Sequence, residues 1–153
     1  RPDRIIIGEV RGGEAFDMLQ AMNTGHEGSM STIHANNPRD ALSRMEQMVG
    51  MAGMPMSQIS IRSQIASAIQ VILQLSRMRD GTRRVTAISE LTGMEGDVIQ
   101  LQDIVKYNRT GVDEDGRVLG EFRSTGIRPR FLSEISTIGL KVDMSIFDPT
   151  TKH

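Results

Sequence analysis

The chain has 153 residues, 38% of them hydrophobic, and this size and content predict one globular unit with a core of ordinary size. Its net charge of −1 gives no electrostatic reason to expect nucleic acid as a partner, although 15 of its 18 basic residues are arginine. The absence of cysteine excludes disulfides and thiol chemistry, and no apolar run approaches the ~18 residues that span a bilayer. We therefore expect no direct membrane insertion.

The first predicted element is a short apolar strand that ends in a carboxylate. Ile5–Ile7 contains three consecutive β-branched residues, which is typical of a strand buried on both faces of a parallel sheet. Gly8 and Glu9 follow, where this strand is expected to stop. Ligands of open α/β sheets bind at the carboxyl ends of the strands, so Glu9 is predicted to face a crevice and to suit Mg²⁺ beside a nucleotide phosphate.

The next elements are a helix and a segment with two of the three histidines. The apolar stripe of Glu14–Asn23 predicts the helix. His26 and His34 follow within nine residues of each other. Thr32–Ile33 is predicted as a short core strand that ends at His34 and opens onto the crevice of Glu9.

Two further helices are predicted from their caps. Asn37 is a good N-cap with Pro38 at the first helical position, and Ser57 is the expected cap of the second helix. The apolar face of the first of these helices consists of Ala41, Leu42, Met45, Met48 and Val49. The second helix is expected to pass into a strand near Val71–Leu73.

The remaining residues predict hairpins. The pair Asp80-Gly81 predicts a tight turn, because these residues tolerate the positive φ of primed turns. The other predicted elements are a strand over 85–91, a strand pair over 98–107 and 117–124 joined by an acidic turn at 113–116, and a short closing helix over 129–139.

A phosphate-binding loop of the pattern G-x-x-x-x-G-K-[ST] is not present in the sequence. None of the three lysines, Lys106, Lys141 and Lys152, follows a glycine at the required spacing. The chain also begins with Arg1, immediately before a core strand. We therefore expect it to be the C-terminal part of a longer polypeptide whose phosphate-binding loop lies upstream, and to be inactive alone.

The segments around Glu9 and the histidines resemble those of a known family. The matching residues are Arg1-Pro2-Asp3, Gly8-Glu9-Val10-Arg11-Gly12-Gly13-Glu14-Ala15, Gly25-His26 and Ser31-Thr32-Ile33-His34-Ala35-Asn36-Asn37-Pro38. They resemble the Walker B and histidine-box motifs of the type II/type IV secretion ATPase superfamily, and most of all those of the tight-adherence (Tad/Flp) pilus assembly ATPases, the CpaF-like group. The resemblance is strong over residues 1–50 and continues more weakly to Glu90.

The resemblance implies an α/β fold, the C-terminal portion of a RecA-like P-loop ATPase domain with β-hairpin additions and a short C-terminal helix. It divides residues 1–153 of this domain into a Walker B and histidine-box segment, 1–50, and a segment of helices and hairpins, 51–153.

The resemblance also implies catalytic roles. Glu9 is the Walker B carboxylate, which contacts Mg²⁺ through water or polarises the attacking water. His34 and His26 lie beside the γ-phosphate, where an imidazole donates a hydrogen bond and reports the nucleotide state to the next subunit.

Gly8 and Arg11 are the candidate nucleotide-binding residues beside Glu9. For Arg11 the alternatives stay open: it orients Glu9, it meets a neighbouring subunit, or it forms an ordinary salt bridge with Glu14 or Asp17.

The parent protein implied by this family is a hexameric ring that uses ATP and Mg²⁺ to drive pilin assembly or protein export. It lies in the cytoplasm, peripheral to the inner membrane of a bacterium, and acts on a platform protein of that membrane. Two alternatives remain. One is a conjugative or DNA-uptake motor, marked by a basic channel and DNA-stimulated turnover. The other is a catalytically silent C-terminal module for oligomerisation or docking.

Overall fold

The computed structural model describes residues 2–26 and 28–151. Arg1, the first of the matching motif residues, and Lys152 therefore lie outside the described residues. The chain forms two compact units. The first consists of Arg1–Gln70 with Leu91–Leu101, and the second of Val71–Glu90 with Gln102–His153.

The first unit begins with a strand–helix–strand motif. It consists of β1 (Ile6–Ile7), α1 (Glu14–Asn23) and β2 (Met30–Ser31), and the two strands pair in parallel. The helix has the predicted bounds, and the parallel pairing is that of an α/β fold. The predicted strand at Thr32–Ile33 is wrong, because the residues that pair with Ile6 and Ile7 are Met30 and Ser31.

The predicted burial of the first strand on both faces is also wrong within the described residues, where β1 pairs with β2 alone. Ile6 is 72% exposed, and its cross-strand partner Met30 is 57% exposed. The two side chains therefore form an apolar pair at the surface of this unit.

Helices α2 (Pro38–Met51) and α3 (Gln58–Ala68) begin at the predicted caps. The Asn37 side chain accepts a hydrogen bond at 2.9 Å from the backbone N–H three residues on, and Ser57 accepts the equivalent bond at 3.1 Å. Each such cap stabilises its helix by about 1 kcal/mol. The buried apolar residues of this unit are Val10, Ala15, Met18, Leu19, Ala41, Leu42, Met45, Met48, Val49, Ile61, Ile65, Ala68, Leu91 and Ile99.

The second half of the chain forms one four-stranded sheet rather than two separate pairs. Its strands, in the order β3-β4-β5-β6, are Val71–Arg77, Arg83–Glu95, Val98–Val112 and Val118–Ser124. The predicted closing helix is shorter than expected, α4 (Leu132–Thr137), and a 3₁₀ turn at Met144–Phe147 follows it.

The turn between β3 and β4 lies where it was predicted but has another geometry. Gly81 has a φ of 83°, whereas no described residue other than glycine has a positive φ, so Asp80 does not adopt the primed conformation. Instead, Gly81 N donates to Met78 O at 3.0 Å and Met78 N donates to Thr82 O at 2.7 Å. This is a three-residue loop in which glycine alone takes the left-handed position.

Asp80 joins this turn to the start of β6. Its carboxylate accepts bonds from Thr82 Oγ1 at 2.7 Å, Thr82 N at 3.0 Å and Val118 N at 2.7 Å. Arg84 donates to Val118 O at 3.0 Å, so the backbone N–H and the carbonyl of Val118 are both hydrogen-bonded to this turn region. The hydrogen bond from the Thr82 side chain, followed by those from backbone N–H groups, lowers the pKa of Asp80 from 3.8 to about 2.

Glu90 anchors the segment that leads into α4. This carboxylate is 3% exposed and accepts bonds from Gln102 Nε2 at 3.0 Å, Arg130 N at 3.0 Å and Phe131 N at 3.1 Å. Burial of a carboxylate is costly without such partners, so Glu90 and residues 130–131 stabilise each other.

The bonds to Asp80 predict an acid-dependent stability. The folded-state pKa is depressed, so the contribution of Asp80 is complete above the ordinary value of 3.8 and is lost as the pH falls through about 2. We expect Asp80→Asn to be less stable than the wild type above pH 4, and this difference to shrink as the pH falls to 2. Urea unfolding over this pH range measures it. Glu114→Gln, which alters an exposed acid of the next turn, is the matched control, and an equal pH effect in both variants would contradict the assignment.

Candidate functional site

The segment that carries Glu9 is fastened to the segment before His34. Val10 is 1% exposed, and its N–H donates to Thr32 O at 3.0 Å. The Thr32 hydroxyl donates in return to Gly8 O at 2.5 Å. The residues on either side of Glu9 are thus both bonded to Thr32, two positions before His34.

This arrangement brings together three of the sequence-predicted residues. Arg11 Nε donates to Glu9 Oε2 at 2.6 Å, and His34 Nε2 lies 2.7 Å from Glu9 Oε1. Oε1 is buried and, among the described residues, receives no hydrogen bond of normal geometry, so the histidine contact is a close approach of the two side chains. The side chains of Arg11 and His34 are 78% and 83% exposed, whereas that of Glu9 is 24% exposed.

The electrostatics keep Glu9 ionised. The hydrogen bond from Arg11, together with the charges of Arg11 and His34, lowers the pKa of Glu9 below its ordinary value despite the opposing effect of desolvation. A carboxylate held in its charged form suits contact with a cation or with a water that must be polarised.

Glu14 bonds to the backbone of Arg11 and not to its guanidinium. The Glu14 carboxylate accepts bonds from the backbone N–H groups of Arg11 at 2.8 Å and Gly12 at 3.1 Å, at the N-terminus of α1. These backbone bonds lower the pKa of Glu14. The side chain of Arg11 pairs with Glu9 and not with Glu14, which resolves one of the alternatives left open by the sequence.

Gly8 and Gly13 differ in their surroundings. No heavy atom lies within 4 Å of the position that a Cβ of Gly8 would occupy, so its face beside Glu9 is open. A Cβ at Gly13 would lie 3.2 Å from the backbone of Ala52, at the end of α2, which shows a close approach there.

His26 is placed differently from His34. Its Nδ1 lies 3.2 Å from Ala21 O near the end of α1, and its own carbonyl accepts a bond from Ser29 Oγ at 2.7 Å. Ser29 Oγ also accepts from Ile5 N at 3.0 Å. The contacts of His26 therefore connect α1, through Ser29, to Ile5 just before β1, whereas the contact of His34 is with Glu9.

A pocket of about 380 Å³ extends from His34 along α2. Its lining residues are His34, Ala35, Asn36, Asp40, Ser43 and Arg44. Among these residues, His34 was predicted from the sequence, whereas Asp40, Ser43 and Arg44 were not. Their spacing could have identified them, because residues 43 and 44 follow residue 40 by three and four positions and therefore share one face of the helix.

Within residues 2–26 and 28–151, no group of three or more His, Cys, Asp or Glu side chains is arranged to hold a metal ion. A cation at Glu9 would thus have one protein carboxylate. This is compatible with Mg²⁺, which commonly takes one or two carboxylates and completes its shell with phosphate and water. In the described part of the chain, no helix has the length and apolar character needed to cross a membrane.

The sequence is similar to proteins of bacterial secretion and conjugation. The family model described as type II/IV secretion system protein matches residues 1–119. A putative conjugal transfer protein of Mycobacterium tuberculosis (strain ATCC 25618 / H37Rv) is 48% identical over 98 residues, which are 64% of this chain and 27% of the relative. The conjugal transfer protein TrbB of Rhizobium radiobacter is 37% identical over 118 residues, 77% of this chain and 33% of the relative.

The type IV secretion system protein VirB11 of Bartonella henselae is 37% identical over 90 residues, 58% of this chain and 25% of that protein. The chain therefore spans a quarter to a third of the length of these curated relatives.

A solved structure supports the same assignment. The crystal structure of the VirB11 ATPase from the Brucella suis type IV secretion system, in complex with sulphate, is 29% identical with a TM-score of 0.54. The match covers 57% of this chain and 27% of that one. It confirms the predicted α/β fold, a C-terminal portion of a RecA-like ATPase domain. With the family match over residues 1–119, the chain belongs to the type II/IV secretion system protein family.

Proposed function

We propose that this chain is part of an ATP-hydrolysing motor that drives export of macromolecules, and that its contribution to hydrolysis lies at Glu9. The observation that carries the proposal is the ionised Glu9 carboxylate at the end of β1, in contact with both Arg11 and His34. The similar Brucella suis protein is an ATPase, which supports phosphoryl transfer to water as the class of reaction.

The residues divide the work by their positions. Glu9 holds negative charge where it can orient Mg²⁺-bound water or the attacking water. Arg11 and His34 both contact Glu9 and both reach solvent, so each is placed to shift from the carboxylate to an incoming phosphate. Gly8 leaves open space on the same side, and His26 supports the loop through α1. Bound ATP and Mg²⁺ would supply the phosphoryl group and a counter-charge to it.

Oxyanion binding in a relative agrees with this proposal. The Brucella VirB11 structure is in complex with sulphate, which resembles phosphate in charge and shape. That protein therefore binds an oxyanion, which is compatible with a phosphate ligand in this family.

The cargo is a separate question. The resemblance to tight-adherence ATPases favours pilin assembly or protein export. The names of the relatives, conjugal transfer protein and type IV secretion system protein, favour the conjugative alternative.

We propose that the working assembly is a homo-oligomeric ring, a hexamer, in the cytoplasm at the inner membrane, where it acts on a platform protein. The exposed apolar pair of Ile6 and Met30 supports the need for a further protein surface. An exposed strand pair of this kind favours association, because it buries apolar area and pairs free backbone groups.

The role of Glu9 is tested in the intact ATPase that contains this chain. Glu9→Gln keeps the shape of the side chain but removes its charge, so we expect ATP binding to persist and turnover to fall by at least ~10²-fold. Nucleotide titration and steady-state phosphate release measure the two effects. Near-normal turnover would exclude this role for Glu9.

The two histidines provide a matched pair of variants. We expect His34→Ala to reduce turnover with little change in melting temperature, because the His34 side chain is 83% exposed and contacts Glu9. We expect His26→Ala to lower the melting temperature, because it loses the contact of its ring with Ala21 O. The opposite pattern would show that His34 is structural and His26 is the residue at the reaction site.

The cargo alternatives are separated by turnover with added partners. A conjugative motor is expected to hydrolyse ATP faster with DNA, whereas a pilus or export motor is expected to respond to its platform protein and not to DNA. Glu9→Gln serves as the inactive reference in both assays. Stimulation by DNA that disappears in this variant would favour conjugation over pilin assembly.

A further inference from the structure

The pocket beside His34 contains a cation that the contacts with Glu9 do not use. Arg44 lies on the exposed face of α2 and lines this pocket together with His34, Asn36 and Ser43. In the described part of the chain, the Arg44 side chain takes part in no ion pair or hydrogen bond. Arg44 is therefore an arginine whose five N–H donors are available to a ligand.

Two nearby acids are engaged elsewhere. Asp40 stands four residues before Arg44, the spacing of a helical ion pair, but Asp40 Oδ2 accepts instead from Asn37 Nδ2 at 2.9 Å. Glu46 accepts from Arg62 Nε at 3.0 Å. The capping arrangement of α2 thus keeps Asp40 at the helix start, and no described residue forms an ion pair or hydrogen bond with the Arg44 side chain.

We propose that Arg44 is the anchoring cation of a phosphate subsite in this pocket, which accepts either the terminal phosphate of the nucleotide or the inorganic phosphate released from it. This inference rests on the proposed ATP hydrolysis at Glu9. The planar guanidinium pairs with two phosphate oxygens at once, and His34 and the Asn36 amide stand at the same pocket as further donors.

The two opposite charges that line the pocket predict opposite effects of substitution on phosphate affinity. Among the described residues that line the pocket, Asp40 is the one acid, and its negative charge opposes an anion in the pocket. Removal of that charge must therefore strengthen phosphate binding, whereas removal of the Arg44 charge must weaken it.

The first test uses inorganic phosphate on the 153-residue chain, at constant ionic strength, followed by amide chemical shifts. We expect saturable shifts confined to the pocket, at residues 34–36 and 40–44. Arg44→Gln should weaken the affinity by ~10-fold or more, since a charge-assisted bidentate contact is lost. Arg44→Lys should lose less, because it keeps the charge but not the fork, and Asp40→Asn should bind phosphate more tightly.

Arg79→Gln is the matched control, because Arg79 is an exposed arginine on the β3–β4 turn that does not line the pocket. We expect it to bind phosphate as the wild type does. Unchanged affinity in Arg44→Gln, or shifts spread evenly over surface arginines, would overturn the proposal. Spectra of the variants without phosphate show whether each remains folded.

The second test uses the intact ATPase and separates the two sources of phosphate. If the subsite takes the terminal phosphate of the nucleotide, Arg44→Gln raises KM for ATP. If it takes the released product, the variant raises the inhibition constant of inorganic phosphate and leaves KM unchanged. If Arg44→Gln changes neither KM nor the inhibition constant, the result contradicts the subsite. Absence of ATPase activity in the intact protein would refute the proposed function. The titration with inorganic phosphate tests independently whether the pocket binds phosphate.

Discussion

The candidate site depends on one pair of hydrogen bonds between backbone segments that are distant in sequence. Thr32 accepts from Val10 N and donates to Gly8 O, so it holds both neighbours of Glu9. Because His34 follows two residues later, the same bonds that fix the end of β1 also bring the imidazole to 2.7 Å from the carboxylate. The close contact of Glu9 with His34 is therefore supported by the local backbone geometry and not only by the side chains themselves.

The distribution of carboxylates in the first unit explains why the charge at Glu9 is available to the site. Glu14 accepts from backbone N–H groups at the start of α1, Asp40 accepts from Asn37, and Glu46 pairs with Arg62. Each of these acids stabilises a helix end or a helix contact. Glu9 is the acid whose partners, Arg11 and His34, are themselves largely exposed, so its contacts can be exchanged for those of a ligand without breaking a helix cap.

The parts of the fold that the sequence predicted are those determined by local interactions. Helix α1 and the starts of α2 and α3 follow from caps and apolar spacing, which involve residues within four positions of each other. The strand near Thr32 was misplaced because its position depends on pairing with Ile6 and Ile7, more than twenty residues away. The single sheet was missed for the same reason, since two hairpins do not reveal in sequence that their inner strands pair.

The site shows the same division. Glu9 and His34 could be predicted because the end of the strand and the motif are both defined by residues that are consecutive in the sequence. The lack of an ion pair at Arg44 was not predicted, because it depends on Asp40 bonding to Asn37 rather than to Arg44 one turn later.

At the other end of the chain, the family match stops at residue 119, inside β6, whereas the sheet continues to Ser124. The buried carboxylate of Glu90 bonds to the N–H groups of residues 130 and 131, so a boundary at the end of the family match would leave a buried charge short of partners. The structural unit must therefore extend beyond the region that defines the family.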